Sequence, residues 1–207
     1  MISSADGPDR IARLRVELDE VKPVIWREFE VPLTTTLKGV HDAIQAVMPW
    51  QGYHLYEFRV GENRFGVPDP EWADEPIRSA KGTRLAALIE RGVTTFAYLY
   101  DFGDDWRHTA SVRAVEQADP AREYPRFVVG ERRAPPENVG GVDGFSEFLK
   151  AATRPRHREH KEVLTWYGGP FDPEDVSQAD IEARIGKLAR RRLLGRAAYL
   201  KSQGGRH

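Results

Sequence analysis

The fold is decided by residues 100–108, which read Tyr100-Asp101-Phe102-Gly103-Asp104-Asp105-Trp106-Arg107-His108. Residues 94–100 before the reversal are β-branched and aromatic, and residues 106–113 after it alternate apolar or ring-bearing side chains with polar ones. This is the period-two pattern of a half-buried strand. The Gly-Asp-Asp between the two runs favours a tight turn, because glycine reaches positive φ and aspartate accepts hydrogen bonds from turn amides. The stretch therefore predicts a β-hairpin.

The same pattern occurs earlier in the chain. Residues 12–18 and 25–31 alternate as two further strands, and residues 37–48 place apolar side chains at helical spacing. We therefore predict an α+β fold, a single domain with a mainly antiparallel, possibly mixed, sheet and helices packed on it. Arg27 shares the apolar face of the second strand, where it should snorkel to the rim or meet an acidic partner. Asp143 is a plausible N-cap for a later helix.

Composition limits the classes of protein to consider. The 207 residues are 40% hydrophobic and 30% charged, as in ordinary globular proteins. The chain has no cysteine, which excludes disulfides, zinc–thiolate sites and thiol catalysis. No apolar run approaches the roughly 20 residues of a membrane span, and the first residues lack a secretion signal. These features predict a cytoplasmic protein with no membrane partner.

Charge is distributed unevenly along the chain. After Glu182 there are eight basic residues and no acidic one; taking those eight from 31 leaves 23 basic against 32 acidic residues, a formal −9 for the body. Such a body repels phosphate backbones, so nucleic acid could bind only through the basic end. We predict a flexible leader over residues 1–10, one domain over 11–190 and a basic tail over 191–207.

Several polar side chains near the hairpin and at other element ends are candidates for binding. Ends of elements on a rigid scaffold are where sites usually form. The ligand-binding candidates are Asp101, Asp104, Asp105, Trp106, His108, Glu137, His41 and His54. Four of them, Asp101, Asp104, His108 and Glu137, have oxygen or imidazole donors that suit a divalent metal cofactor. The alternative is that the aspartates only stabilise the turn.

Five segments in order resemble one family, the proteins similar to an open reading frame of a root-inducing plasmid (plasmid pRi open-reading-frame-three-like). They are Val24-Ile25-Trp26-Arg27, residues 37–54, residues 100–108, Pro135 to Gly141 followed by Gly144-Phe145, and residues 169–174. The resemblance covers about Ile11 to Glu182. This chain departs from the family at Pro49, where members often have glycine, and at Asn138, where they often have an acid.

The resemblance implies an α+β fold, an association with bacterial plasmids or mobile elements, and no established reaction. Some members carry a resolvase-like label. A serine recombinase needs a nucleophilic serine backed by arginines and a basic DNA-binding helix, whereas Ser3 and Ser4 lie in the leader and the body is acidic. The residues therefore do not support that label.

Three hypotheses about function follow from the sequence. The leading one is a non-enzymatic binding module in which the hairpin tip, the loop from Pro135 to Gly141 and two histidines surround a site for a protein, peptide or small ligand. The second is a metal-dependent hydrolase that uses an Asp/His/Glu cluster, with one carboxylate as general base. The third is a DNA-associated accessory protein that acts through its basic tail.

Overall fold

The computed structural model describes residues 10–68 and 77–204. Residues 1–9 of the predicted leader and 205–207 of the predicted tail lie outside this range. Along the chain the described residues form β1 (Arg10–Leu18), β2 (Trp26–Pro32), α1 (Leu37–Val47), β3 (Tyr56–Val60), β4 (Asn63–Gly66), β5 (Arg78–Ser79), α2 (Leu85–Ile89), β6 (Thr95–Tyr100), β7 (Trp106–Gln117), β8 (Arg126–Glu131), α3 (Gly141–Ala152), α4 (His160–Tyr167) and α5 (Gln178–Gly204).

The strands of the described residues form one sheet in the order β5-β4-β3-β6-β7-β1-β2-β8. Only β4 and β5 are parallel; the other neighbouring strands are antiparallel. This confirms the predicted α+β class. The predicted hairpin is the central β6–β7 pair, closed by Tyr100 opposite Trp106, so its tip is held by the middle of the sheet.

The turn uses a different backbone from the one we predicted. Positive φ occurs at Asp101 (56°) and Asp105 (55°), while Gly103 does not have it. Aspartate tolerates this left-handed region better than most residues because its side chain can bond nearby amides. Asp101 does so, since its Oδ1 accepts from the Gly103 amide at 3.0 Å. The aspartates, not the glycine, give the reversal its shape.

Alternation along the strands forms the core. On β1 the alternating residues Ala12, Leu14, Val16 and Leu18 are buried, together with Ile11, and on β7 the buried residues are Trp106, His108 and Ala110. Full burial of an aliphatic side chain such as Leu14 stabilises the fold by about 1.5–3 kcal/mol. Helix α1 begins at a cap in which Thr36 Oγ1 accepts from the Gly39 amide at 3.2 Å, and it buries Val40 and Ile44.

Arg27 corrects another expectation, because it neither reaches the surface nor pairs with an acid. It is fully buried and donates to four backbone carbonyls: Val47 at 2.9 Å, Trp26 at 2.8 Å, Glu131 at 2.8 Å and Arg132 at 2.7 Å. Burial lowers the pKa of Arg27 to about 10. One side chain thus joins β2, the end of α1 and the end of β8.

The helices differ from prediction at two ends. Helix α3 is capped by Gly140 in the left-handed conformation, and Asp143, expected to be the cap, lies in the first turn, where it still favours the helix dipole. The predicted basic tail continues α5 as far as Gly204. Helix α5 is anchored by its first half, in which Ile181 and Ile185 are buried. Among the described residues, no helix has both the length and the apolar character needed to cross a membrane.

Candidate functional site

The hairpin tip and the loop that precedes α3 lie against each other. Asp104 Oδ2 accepts from the Gly140 amide at 3.2 Å, and the Tyr100 hydroxyl donates to Glu137 Oε1 at 3.0 Å. A Cβ on Gly141 would be 2.6 Å from the carbonyl oxygen of Asp104, and Gly141 also has a φ of +68°. Only glycine meets both conditions without strain. The close approach of tip and loop therefore requires glycine at position 141.

His54 joins the tip to the loop. Its Nε2 is 3.0 Å from Asn138 Oδ1, 3.4 Å from Asp101 Oδ2 and 3.9 Å from Glu137 Oε2. One nitrogen therefore faces three oxygen acceptors. We call His54, Tyr100, Asp101, Glu137 and Asn138 the acid–histidine cluster.

The two carboxylates of this cluster are fixed by donors of the protein. Besides Tyr100, Glu137 Oε1 accepts from the Gln51 amide at 2.6 Å. Burial, and then the charge of Glu137, raise the pKa of Tyr100 well above its usual value, so the hydroxyl remains a donor. Within the described part of the chain, no Lys or Arg forms an ion pair with Asp101 or Glu137. The two carboxylates of the cluster therefore face one histidine and no Lys or Arg of the described residues.

An open cleft of about 760 Å³ adjoins the cluster at Glu137. We call it the aromatic–proline cleft, after wall residues that include Pro49, Pro135, Pro136, Trp166 and Tyr167. Trp50 Nε1 donates to the Pro135 carbonyl at 2.8 Å, which fixes one wall to the end of α1. Trp166 is 53% exposed, yet its ring packs edge-on against Phe148 with centroids 5.8 Å apart. The cleft therefore presents an exposed but well-supported aromatic surface.

The cations of the cleft are already paired. Arg133 forms an ion pair with Asp175 and donates to the Tyr167 hydroxyl at 2.7 Å. Arg184 binds Asp180 at 2.9 Å. Both of these acids line the same cleft. Once these pairs are formed, Glu137 is the cleft carboxylate left without a Lys or Arg partner among the described residues.

His41 lies beside Tyr100, with ring centroids 6.3 Å apart. It is buried, its Nδ1 is 2.8 Å from the Tyr98 hydroxyl, and it stacks on Tyr56 at 3.7 Å. Gln45 Nε2 donates to the same Tyr98 hydroxyl at 3.0 Å. Burial lowers the pKa of His41 to about 3, so it is a neutral ring in a core hydrogen-bond chain.

Three other candidates do not enter the cluster. Trp106 and His108 are buried, and His108 Nδ1 is 3.0 Å from the Trp106 carbonyl. Burial lowers the pKa of His108 to about 4. The Asp105 carboxylate pairs with Arg107 at 2.8 Å and is 47% exposed. Of the candidates in the hairpin tip, Asp101 therefore lies in the acid–histidine cluster, whereas Asp105, Trp106 and His108 lie outside it.

The four candidate metal ligands are not gathered around a single point. Asp104 is bonded to the Gly140 amide and His108 is inside the core, which leaves Asp101 and Glu137 with His54. In residues 10–68 and 77–204, no group of three His, Cys, Asp or Glu side chains is arranged to hold a metal ion. A divalent cofactor remains a prediction from sequence.

Comparison with known proteins places the chain in a family. The family model for plasmid pRiA4b ORF-3-like proteins matches residues 10–180. The chain belongs to this family. It is 38% identical over 192 residues to the uncharacterised protein y4hQ of Sinorhizobium fredii, covering 88% of this chain and 97% of that one. A crystal structure of a protein of unknown function from Methanosarcina mazei Go1 superposes with a TM-score of 0.76 at 31% identity, covering 84% of this chain and 97% of that one.

The names of these two similar proteins state no activity. Asn138, which stands where the resemblance implies an acid in other members, is a neutral acceptor for His54 in this chain. The cluster consequently has two carboxylates.

Sequence reasoning missed several residues of the site. Tyr100 was seen only as a strand residue, and Gln51 contributes a backbone amide that no side-chain pattern reveals. Trp166, which is half exposed and lines the cleft, was not among the predicted site residues. The strand alternation could have corrected one candidate, because it placed His108 on the same face as Trp106 and hence in the core.

Proposed function

We propose that this plasmid pRiA4b ORF-3-like protein is a non-enzymatic binding module that holds an extended peptide segment in the aromatic–proline cleft. The cleft volume of about 760 Å³ lies within the range of about 300–1,000 Å³ typical of ligand sites. One observation carries the proposal: flat apolar walls at Trp166 and Pro136 lie beside a fixed carboxylate, Glu137, that has no Lys or Arg partner among the described residues.

The charge of the cleft favours a peptide with a basic side chain. Arg133 and Arg184 are balanced by Asp175 and Asp180, which leaves the negative charge of Glu137 at one edge. A Lys or Arg of the ligand can pair with this carboxylate. A cation can also lie over the exposed Trp166 ring, which attracts it through the π face.

Rigidity of the cleft supports binding. Glu137 is held by the Gln51 amide and the Tyr100 hydroxyl, and Trp166 is supported by Phe148. Groups fixed before the ligand arrives lose little conformational entropy on binding. Proline walls add the same advantage, because proline has few conformations to lose.

Selection from a displayed library of random peptides tests the proposal, with purified full-length protein as bait. We expect enriched sequences that contain Lys or Arg next to proline or aromatic residues. Affinities for the enriched peptides should fall by about tenfold or more in Trp166→Ala, in line with the loss of a central aromatic anchor. Glu137→Gln should weaken basic peptides and spare variants of the same peptides in which the basic residue is replaced.

Tyr199→Ala is the matched control, because Tyr199 is also an exposed aromatic residue (63%) and lies outside the cleft wall. It should bind the selected peptides as the wild type does. The proposal is wrong if no sequence is enriched over empty beads, or if Trp166→Ala and Tyr199→Ala behave alike.

The other sequence-based hypotheses stay predictions. A metal-dependent hydrolase gains no support from the arrangement of the described donor side chains. Binding of DNA through the basic end would use the second half of α5, and an association with mobile elements or a cytoplasmic location rests on the sequence and the family resemblance.

A further inference from the structure

A second cavity, of about 360 Å³, lies between α1 and α5. Its lining includes the buried apolar side chains of Ala46 and Trp50 and the half-buried Leu188. Lys187 and Arg191 line the same cavity and are exposed. They are four residues apart and therefore neighbours on one face of α5. We call Lys187 and Arg191 the two rim cations.

The charge of this cavity does not balance. Asp42 is paired with Lys38 at 2.5 Å, and Arg184 is paired with Asp180 at 2.9 Å. The two rim cations have no carboxylate partner within the described part of the chain. Like charges at this helical spacing destabilise each other, so an anion bound between them would relieve a repulsion as well as form two ion pairs.

A buried amide in the cavity lining has unused hydrogen-bonding capacity. Gln45 is only 6% exposed, and its Oε1 has no hydrogen-bond partner among the described residues. Its Nε2 donates to the Tyr98 hydroxyl. Because a hydroxyl can also donate, the amide can turn over and direct its NH₂ group, instead of its oxygen, to the unpaired side. A polar group that remains unsatisfied in a core is unfavourable. This oxygen is shielded from solvent and lies next to Gly52, outside the cavity lining, so a ligand of the cavity would meet the two rim cations and the apolar side chains.

We propose that this cavity binds a small phosphomonoester with an apolar body. The phosphate would lie between the two rim cations, and the body would lie against Ala46, Trp50 and Leu188. A phosphomonoester carries a charge of about −1.5 to −2 with three acceptor oxygens, which matches two unpaired cations better than the single charge of a carboxylate. This inference does not depend on the peptide site. The two cavities share Trp50 and Arg184, but the two rim cations and Leu188 do not line the aromatic–proline cleft.

Titration calorimetry of the full-length protein with phenyl phosphate tests the proposal. Binding should be saturable with one site per chain, and benzoate, which has the same ring and a single charge, should bind more weakly. Lys187→Glu and Arg191→Glu should each reduce the affinity for phenyl phosphate by about tenfold or more, because each replaces a charge-assisted contact with a repulsive one.

Lys201→Glu is the matched control. Lys201 is exposed on the same helix, ten residues beyond Arg191, and does not line the cavity, and its reversal changes the net charge of the protein by the same amount. The affinity of this variant for phenyl phosphate should stay within about twofold of the wild type, as expected for a remote surface charge.

Three results would each overturn the proposal. They are the lack of saturable binding to the wild type, equal affinity for benzoate and phenyl phosphate, and an equal loss in Lys201→Glu, which would reveal only general attraction of anions to a basic helix. Because the three substituted residues are exposed, all variants should retain the wild-type circular dichroism spectrum.

Discussion

Replacing Arg27 with methionine should destabilise the fold far more than the loss of an ordinary arginine. The guanidinium is fully buried and donates to four carbonyl oxygens at 2.7–2.9 Å. Methionine fills a similar volume but has no donor. The variant therefore leaves four carbonyl acceptors without their partner, one of them buried and three partly buried. It also removes a buried charge, and the two effects oppose each other.

The balance can be worked from the structure. A pKa lowered from 12.5 to about 10 corresponds to a cost of about 3 kcal/mol for keeping the charge in the core. Hydrogen bonds from a charged donor contribute about 1.5–3 kcal/mol each, so four of them supply at least about 6 kcal/mol. Arg27→Met should consequently lose about 3 kcal/mol of unfolding free energy.

Urea unfolding at pH 7.5, followed by tryptophan fluorescence, measures this loss as a change in midpoint at constant slope. Arg113→Met is the control, because Arg113 is exposed on β7 and its loss should change stability by less than about 0.5 kcal/mol. If Arg27→Met is as stable as that control, the carbonyl bonds only offset the burial of the charge, as happens at some buried ion pairs, and our reasoning about Arg27 is refuted.

Two further predictions concern protonation and close packing. Burial lowers the pKa of His41 to about 3 and that of His108 to about 4, whereas in the unfolded chain both protonate near pH 6.5. The folded state therefore has its full stability above pH 6.5 and loses stability as the pH falls towards 4. Unfolding free energy measured by urea titration should therefore drop by about 4 kcal/mol between pH 7 and 5, with half that slope in His108→Leu, and a flat profile would contradict it. Gly141→Ala should lower the free energy of unfolding by about 2 kcal/mol or more beyond the effect of Gly61→Ala. Both residues have positive φ, but of the two only a Cβ at Gly141 would meet a backbone atom, the Asp104 carbonyl oxygen at 2.6 Å. Equal melting temperatures for the two variants would show that tip and loop can separate freely.

The sequence predicted the fold well because strand alternation is a local property. Residues 12–18 and 106–110 bury alternate side chains as expected, and the central hairpin lies where the turn residues indicate. The turn conformation was harder to predict from the sequence, because both glycine and aspartate can adopt positive φ. Only the structure shows that Asp101 and Asp105 do so.

The site was predicted only in outline. The tip and the proline–glycine loop are distant in sequence, and the expectation that they meet came from their positions at element ends. Which atoms meet depends on backbone groups, such as the amide of Gln51 that binds Glu137 and the carbonyls that bind Arg27. Every residue carries these groups, so no pattern of side chains can single them out.

The hydrogen-bond chain of His41, Tyr98 and Gln45 has a consequence for spectroscopy. Tyr98 supplies a single hydroxyl proton between two neighbours. If that proton points to the imidazole, the amide must donate; if it points to the amide, the imidazole must donate through Nδ1. The tautomer of the ring and the rotamer of the amide are therefore two readouts of one state, and any molecule that engages Gln45 should be visible in the ¹⁵N signals of His41.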